Sequence, residues 1–117
     1  MNGLPRARII KRRKEFQRVY RAGKSYANRY LVLYVFEDAQ SRMKGRFGFA
    51  AGKRLGHAHI RNRVKRLMRE AVRLHQRELP PEDRHVFLLV GRQAAVKAKM
   101  PEIEQAYLYL LRKAGIL

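Results

Sequence analysis

Catalysis on a phosphate or acyl group needs a base, a nucleophile or a metal cluster, and this sequence offers few of them. His57 and His59 could act as a general base or as two metal ligands, but two imidazoles without a third ligand or a carboxylate beside them are a weak signal. His75 continues an apolar stripe and His85 opens a strand, so both read as packing or edge residues. With no cysteine there is no thiolate nucleophile, no disulfide framework and no cysteine-based zinc site. Metal-assisted hydrolysis of a phosphodiester draws on clustered carboxylates. The nine acids, Glu15, Glu37, Asp38, Glu70, Glu78, Glu82, Asp83, Glu102 and Glu104, are instead scattered or placed at helix ends and turns. We therefore assign no catalytic residue and no metal ligand to the chain.

What the side chains are equipped to do is bind a polyanion. Gly52 to Arg73 holds Lys53, Arg54, Arg61, Arg63, Lys65, Arg66, Arg69 and Arg73 against a single acid, Glu70. From Ala58 onward, Ile60, Val64, Leu67, Met68, Ala71 and Val72 recur at the spacing of one helix face, which leaves the cations on the other. Such a helix lies on a core by its apolar stripe and holds guanidinium groups out to phosphate. The whole chain agrees. Its 117 residues carry a formal net charge of +19, and 19 of its 28 cations are arginine, whose planar fork suits phosphate oxygens and base edges. Self-repulsion on that scale is relieved by a negatively charged partner, foremost nucleic acid.

The elements that would position these residues follow from periodicity. Residues 1–9 read as a flexible basic arm interrupted by Pro5, with Arg6 and Arg8 in reach of RNA. Lys11 to Ala22 predicts a helix with Phe16, Val19 and Tyr20 on one face and Gly23 at its end. Tyr30 to Phe36 predicts a strand whose alternation puts Tyr30, Val32, Tyr34 and Phe36 on one side. Glu37 to Gly45 is a polar connection, and Arg46 to Ala51 a second strand whose small side, Gly48 and Ala50, would let a helix come close. The basic helix stops at Leu79-Pro80-Pro81. His85 to Val90 is a further strand, Arg92 to Lys99 a basic loop or short helical turn, and Pro101 opens a last helix ending near Lys113 and Gly115. The sum is one domain over residues 1–117, an α/β sandwich of the α+β kind with a strand, basic helix, strand unit at its centre. No apolar run has the length of a membrane span and the N-terminus lacks an apolar signal core, so the expected compartment is the cytoplasm, with no membrane partner.

A second binding surface follows from the first helix. If it lies across the sheet, Phe16 and Tyr20 join the Tyr30, Val32, Tyr34 face to line a groove bordered by Arg13, Arg18 and Arg21, with Arg92 a further candidate. Aromatic platforms beside cations suit single-stranded RNA, where stacking contributes about 1 to 3 kcal/mol per base.

The basic stretch resembles the signature of the bacterial ribonuclease P protein subunit: Lys53-Arg54, Gly56, then Arg61-Asn62-Arg63 followed by Lys65-Arg66 and Arg69. The resemblance extends to Phe16 and Gly23 of the first helix and to Ala27-Asn28-Arg29 before a strand with Val32 and Tyr34. It implies an α-β-β-β-α-β-α order, with Ser25 to Asn28 as a first strand that periodicity does not reveal, a small mixed sheet, and a left-handed βαβ crossover against the usual rule. It further implies the small partner of a catalytic RNA that removes the 5′ leader from precursor tRNA, the protein alone being inactive. Lys53, Arg54, Arg61, Asn62, Arg63, Lys65, Arg66 and Arg69 would then face the RNA subunit, and Phe16, Tyr20, Val32, Tyr34, Arg13 and Arg18 the leader. The implied partners are the catalytic RNA and precursor tRNA, with no protein partner required. Mg2+ would be bound mainly by the RNA, and no organic cofactor is expected. The alternatives are a ribosomal-type or RNA-chaperone protein without a catalytic partner, and a stand-alone nuclease built on His57 and His59.

Overall fold

A computed structural model describes residues 9–38, 46–79 and 85–117. The basic arm through Arg8, most of the polar connection and the two prolines after Leu79 lie outside the described residues. Three helices, α1 (Arg13–Ala22), α2 (Ala58–Leu74) and α3 (Met100–Lys113), accompany four strands, β1 (Lys24–Ala27), β2 (Leu31–Glu37), β3 (Arg46–Ala51) and β4 (His85–Gly91). The order along the chain is α-β-β-β-α-β-α, as the resemblance implies. Short 3-10 turns, Lys53–Leu55, Gln76–Glu78 and Gln93–Lys97, occupy the joints.

The sheet runs β1-β2-β4-β3. β2 pairs antiparallel with β1 and β4, while β3 pairs parallel with β4, so α2 is the crossover of a βαβ unit. β4 is thus the central strand. Its sequence VFLLV has no polar side because both faces of the sheet are covered there, and Val86 to Leu89 are buried.

Two cores flank the sheet. The larger one packs Leu31, Leu33, Phe47, Phe49, Phe87 and Leu89 against Val64, Met68 and Val72 of α2 and Ile103, Tyr107 and Leu111 of α3. Phe47 and Phe87 stack at 5.1 Å between β3 and β4. The smaller core, on the opposite face, gathers Ile10, Val19, Val86 and Leu88, with Phe16, Tyr34, Phe36, Ala50 and Val90 at its margin. Among the described residues, α1 and the Ile10 segment cover this second face, and at 10 residues the helix leaves part of the sheet open.

Glycines set two of the helix approaches. A Cβ at Gly48 would stand 3.1 Å from the Phe16 ring, so the small side of β3 does let α1 come close. A Cβ at Gly91 would stand 2.5 Å from Val64 Cγ1, which fixes α2 tightly on the end of β4. Residues 9 and 10 are not free arm: Ile9 bridges Phe47, and the Ile10 amide donates to the Phe47 carbonyl at 2.7 Å.

Candidate nucleic-acid interface

The basic helix carries its charges as its period requires. Val64, Met68, Ala71 and Val72 are buried on one side, and Asn62, Arg66 and Arg69 are exposed on the other. Arg61, Arg63 and Lys65 lie half-buried at the margins. The one acid of the stretch is taken up locally, since Glu70 accepts from Arg73 Nε at 3.0 Å. That ion pair holds the Glu70 carboxyl below its usual range, chiefly through the Arg73 hydrogen bond. Arg66 has no acidic partner among the described residues. Arg69 holds its guanidinium 5.9 Å from the Phe49 ring, a cation–π contact that orients it over β3. Lys53 and Arg54 extend this surface from the exposed 3-10 turn ahead of α2, and Gly56, at φ 135°, makes the corner between them.

Arg63 departs from the RNA-facing set. Its two terminal nitrogens donate to the carbonyls of Val96 and Ala98, each at 2.9 Å, so its fork is directed into the protein. The cation was legible in the sequence, but the carbonyls that receive it lie 33 and 35 positions away.

On the opposite sheet face the aromatic groove is assembled from α1, β2, β4 and β3. Phe16 rests over Gly48, and Tyr20, 43% exposed, meets Tyr34 edge-on with ring centroids 4.9 Å apart. Burial and the neighbouring Tyr34 push the Tyr20 hydroxyl pKa up. Val32, Val90 and Ala50 stand side by side across the three strands as a half-buried apolar floor. Alternation along β2 pointed to Val32, whereas Val90 and Ala50 could have been found only by pairing the strands. Arg13 shares the Phe16 flank at i, i+3 spacing.

Two expected groove residues sit elsewhere. Arg18 is on the far flank of α1, its guanidinium 5.1 Å from the Phe36 ring, in the company of the Glu15–Arg46 ion pair. Residues two apart on a helix point about 200° apart, so Phe16 and Arg18 cannot border one groove from one side. Tyr30 precedes the strand instead of opening it, and its hydroxyl donates to Glu102 of α3 at 2.8 Å, away from the groove. The cause is Asn28, whose Oδ1 accepts from the amides of Tyr30 and Leu31 at 3.0 and 2.9 Å while Nδ2 donates to the Ala106 carbonyl at 3.0 Å. Arg92 closes the same corner by donating to the Asn28 carbonyl at 2.8 Å, at the end of the groove floor. No motif length predicts that anchor; the Asn-Arg pair carries it.

His57 and His59 stack with ring centroids 6.1 Å apart on the exposed first turn of α2. Among the described residues no three His, Asp or Glu side chains gather where they could hold a metal ion. Among the described residues no helix is long and apolar enough to cross a membrane.

An acid-poor cationic helix on one side of a four-stranded sheet and a group of partly exposed aromatic side chains on the other define a small basic α+β protein. The ribonuclease P family model matches residues 4–115, and the chain belongs to that family. It is 42% identical over 116 residues to the ribonuclease P protein component of Symbiobacterium thermophilum, covering 97% of this chain and 96% of that protein. The corresponding component of Clostridium acetobutylicum is 38% identical, with 92% and 89% covered. Among solved structures, the RNase P protein of Staphylococcus aureus superposes with a TM-score of 0.83 at 30% identity over 95% of this chain and 98% of that one. The RNase P protein of Thermotoga maritima, at 22% identity and a TM-score of 0.77 over 89% and 94%, shares the fold.

Proposed function

We propose that the chain is the protein subunit of a ribonuclease P holoenzyme, in which a catalytic RNA hydrolyses the phosphodiester that joins the 5′ leader to tRNA. The observation that carries this reading is the division of labour across the sheet: α2 presents Asn62, Arg66 and Arg69 on one side, and Phe16, Tyr20 and Tyr34 form the trough on the other. One surface docks on the RNA subunit; the other takes single-stranded leader by stacking, with Arg13 beside it for phosphate. Precursor has a leader and product lacks one, so the trough contributes affinity to substrate alone and lets product leave.

Hydrolysis belongs to the RNA in this reading. In this reading Mg2+ sits mainly on RNA phosphates, and cations along α2 ease the crowding of those phosphates. Asn62, exposed among the arginines, is placed to hydrogen-bond RNA or water on it. No protein partner is needed for these roles, and the cytoplasm is where such a substrate is met.

Reconstitution tests it. Added to a bacterial ribonuclease P RNA at low magnesium, the protein should stimulate 5′ cleavage of precursor tRNA, and the protein without RNA should be inert. Absence of stimulation would reject the proposal, and cleavage by protein alone would point to the His57–His59 pair.

A further inference from the structure

Arg61, Asn62 and Arg63 are consecutive, so their side chains leave α2 about 100° apart and cannot all face one partner. Asn62 points to solvent. Arg61 lies at the margin, its Nε shielded and without a hydrogen-bond partner among the described residues. Arg63 spans instead to the turn Gln93–Lys97, where it meets the Val96 and Ala98 carbonyls at 2.9 Å each. The last carbonyls of such a turn have no donor of their own and favour a nearby cation. A planar guanidinium satisfies two of them at once, which the point charge of an ammonium does poorly.

The turn held in this way leads to the groove. Ala95 and Ala98 are buried under α2, and Arg92, just before the turn, donates its amide to the Tyr30 carbonyl and its guanidinium to the Asn28 carbonyl, both at 2.8 Å. Two residues further back, Val90 is part of the groove floor. Val64, next to Arg63, rests on Gly91 between them. The side chain of Arg63 thus completes a continuous packed and hydrogen-bonded connection from the docking helix to the leader groove.

We propose that Arg63 is a positioning residue and not a phosphate contact: it latches the 93–98 segment to α2 and so fixes Arg92 and the groove floor relative to the RNA-docking face. This rests on the functional reading above for its consequence, though not for the latch itself. Two variants, Arg63→Lys and Arg63→Met, separate the possibilities, with Arg66→Met as the phosphate-contact comparison.

In the free protein, the amides of Ala95 and Ala98 should lose hydrogen-exchange protection in Arg63→Lys although charge is retained; unchanged protection would overturn the latch. In the complex with ribonuclease P RNA, the salt slope of RNA-subunit affinity should stay at the wild-type value for both Arg63 variants and fall by about 0.7 to 0.9 for Arg66→Met. The ratio of precursor to mature tRNA affinity should fall by about 2- to 30-fold in both Arg63 variants, the range over which changes along a packed connection alter coupling. A general loss of stability would lower both affinities and leave their ratio alone. Wild-type preference for precursor in Arg63→Lys, or a reduced salt slope in Arg63→Met, would overturn the proposal. Failure of the functional reading is distinguishable, because then wild-type protein itself would show no precursor preference while the exchange result would stand.

Discussion

Single side chains divide here into those that touch RNA in the proposed complex and those that hold the protein in shape. Phe16 is of the first kind: it sits at the margin of the smaller core, half-buried over Gly48. Phe16→Ala should weaken precursor tRNA binding by about 1 to 3 kcal/mol for one lost stacking partner and leave mature tRNA binding nearly unchanged. Titration of both RNAs checks it, and equal losses would count against the groove. His75 is of the second kind. Its Nδ1 lies 2.8 Å from Glu78 and its Nε2 2.7 Å from Glu104, joining the end of α2 to α3. Burial disfavours the imidazolium, but the two carboxylates outweigh it and raise the His75 pKa above its usual 6.5. Stability from this clamp is therefore fully present below about pH 6.5 and lost as pH climbs through the raised value. His75→Gln should cost about 0.2 to 1 kcal/mol at pH 6 and close to nothing at pH 9, read from chemical denaturation at the two pH values.

At the scale of elements, packing rather than charge decides where the surfaces go. Gly91 admits α2 to the end of β4, and a Cβ there would stand 2.5 Å from Val64 Cγ1 in a fully buried site. Gly91→Ala should destabilise by about 1 to 3 kcal/mol, with Val64→Ala in the same chain recovering part of the loss, as denaturant midpoints would show. Long periodic elements were legible: β3 spans the predicted Arg46–Ala51, and α2 starts at the predicted Ala58. β1 was not, because it is an edge strand with three of its four residues exposed and no apolar alternation to read. Alternation also ran one residue too far at Tyr30, since the Asn28 side chain supplies bonds that a strand partner would otherwise give. The Arg18 flank was available from helical angle alone. The Arg63 latch was not, because a residue type announces a donor and never the distant carbonyl that accepts from it.

For the whole molecule, a net charge of +19 on 117 residues makes affinity for RNA strongly dependent on salt. Arg66→Ala should lower the magnitude of the salt slope by about 0.7 to 0.9, measured by titrating the RNA subunit at several salt concentrations, and no change would place Arg66 in water. The sheet order β1-β2-β4-β3 has a different sort of consequence, one of timing during synthesis. β2 and β3 both take β4 as partner, and β4 is the last strand made. A ribosome has therefore synthesised α1, three strands and all of α2 before the strand that unites them exists. At ordinary elongation speeds the 17 positions from His75 to Gly91 take about one to three seconds. Over that interval the most cationic helix in the chain is in the company of ribosomal RNA, with its apolar stripe bare and no completed sheet to receive it.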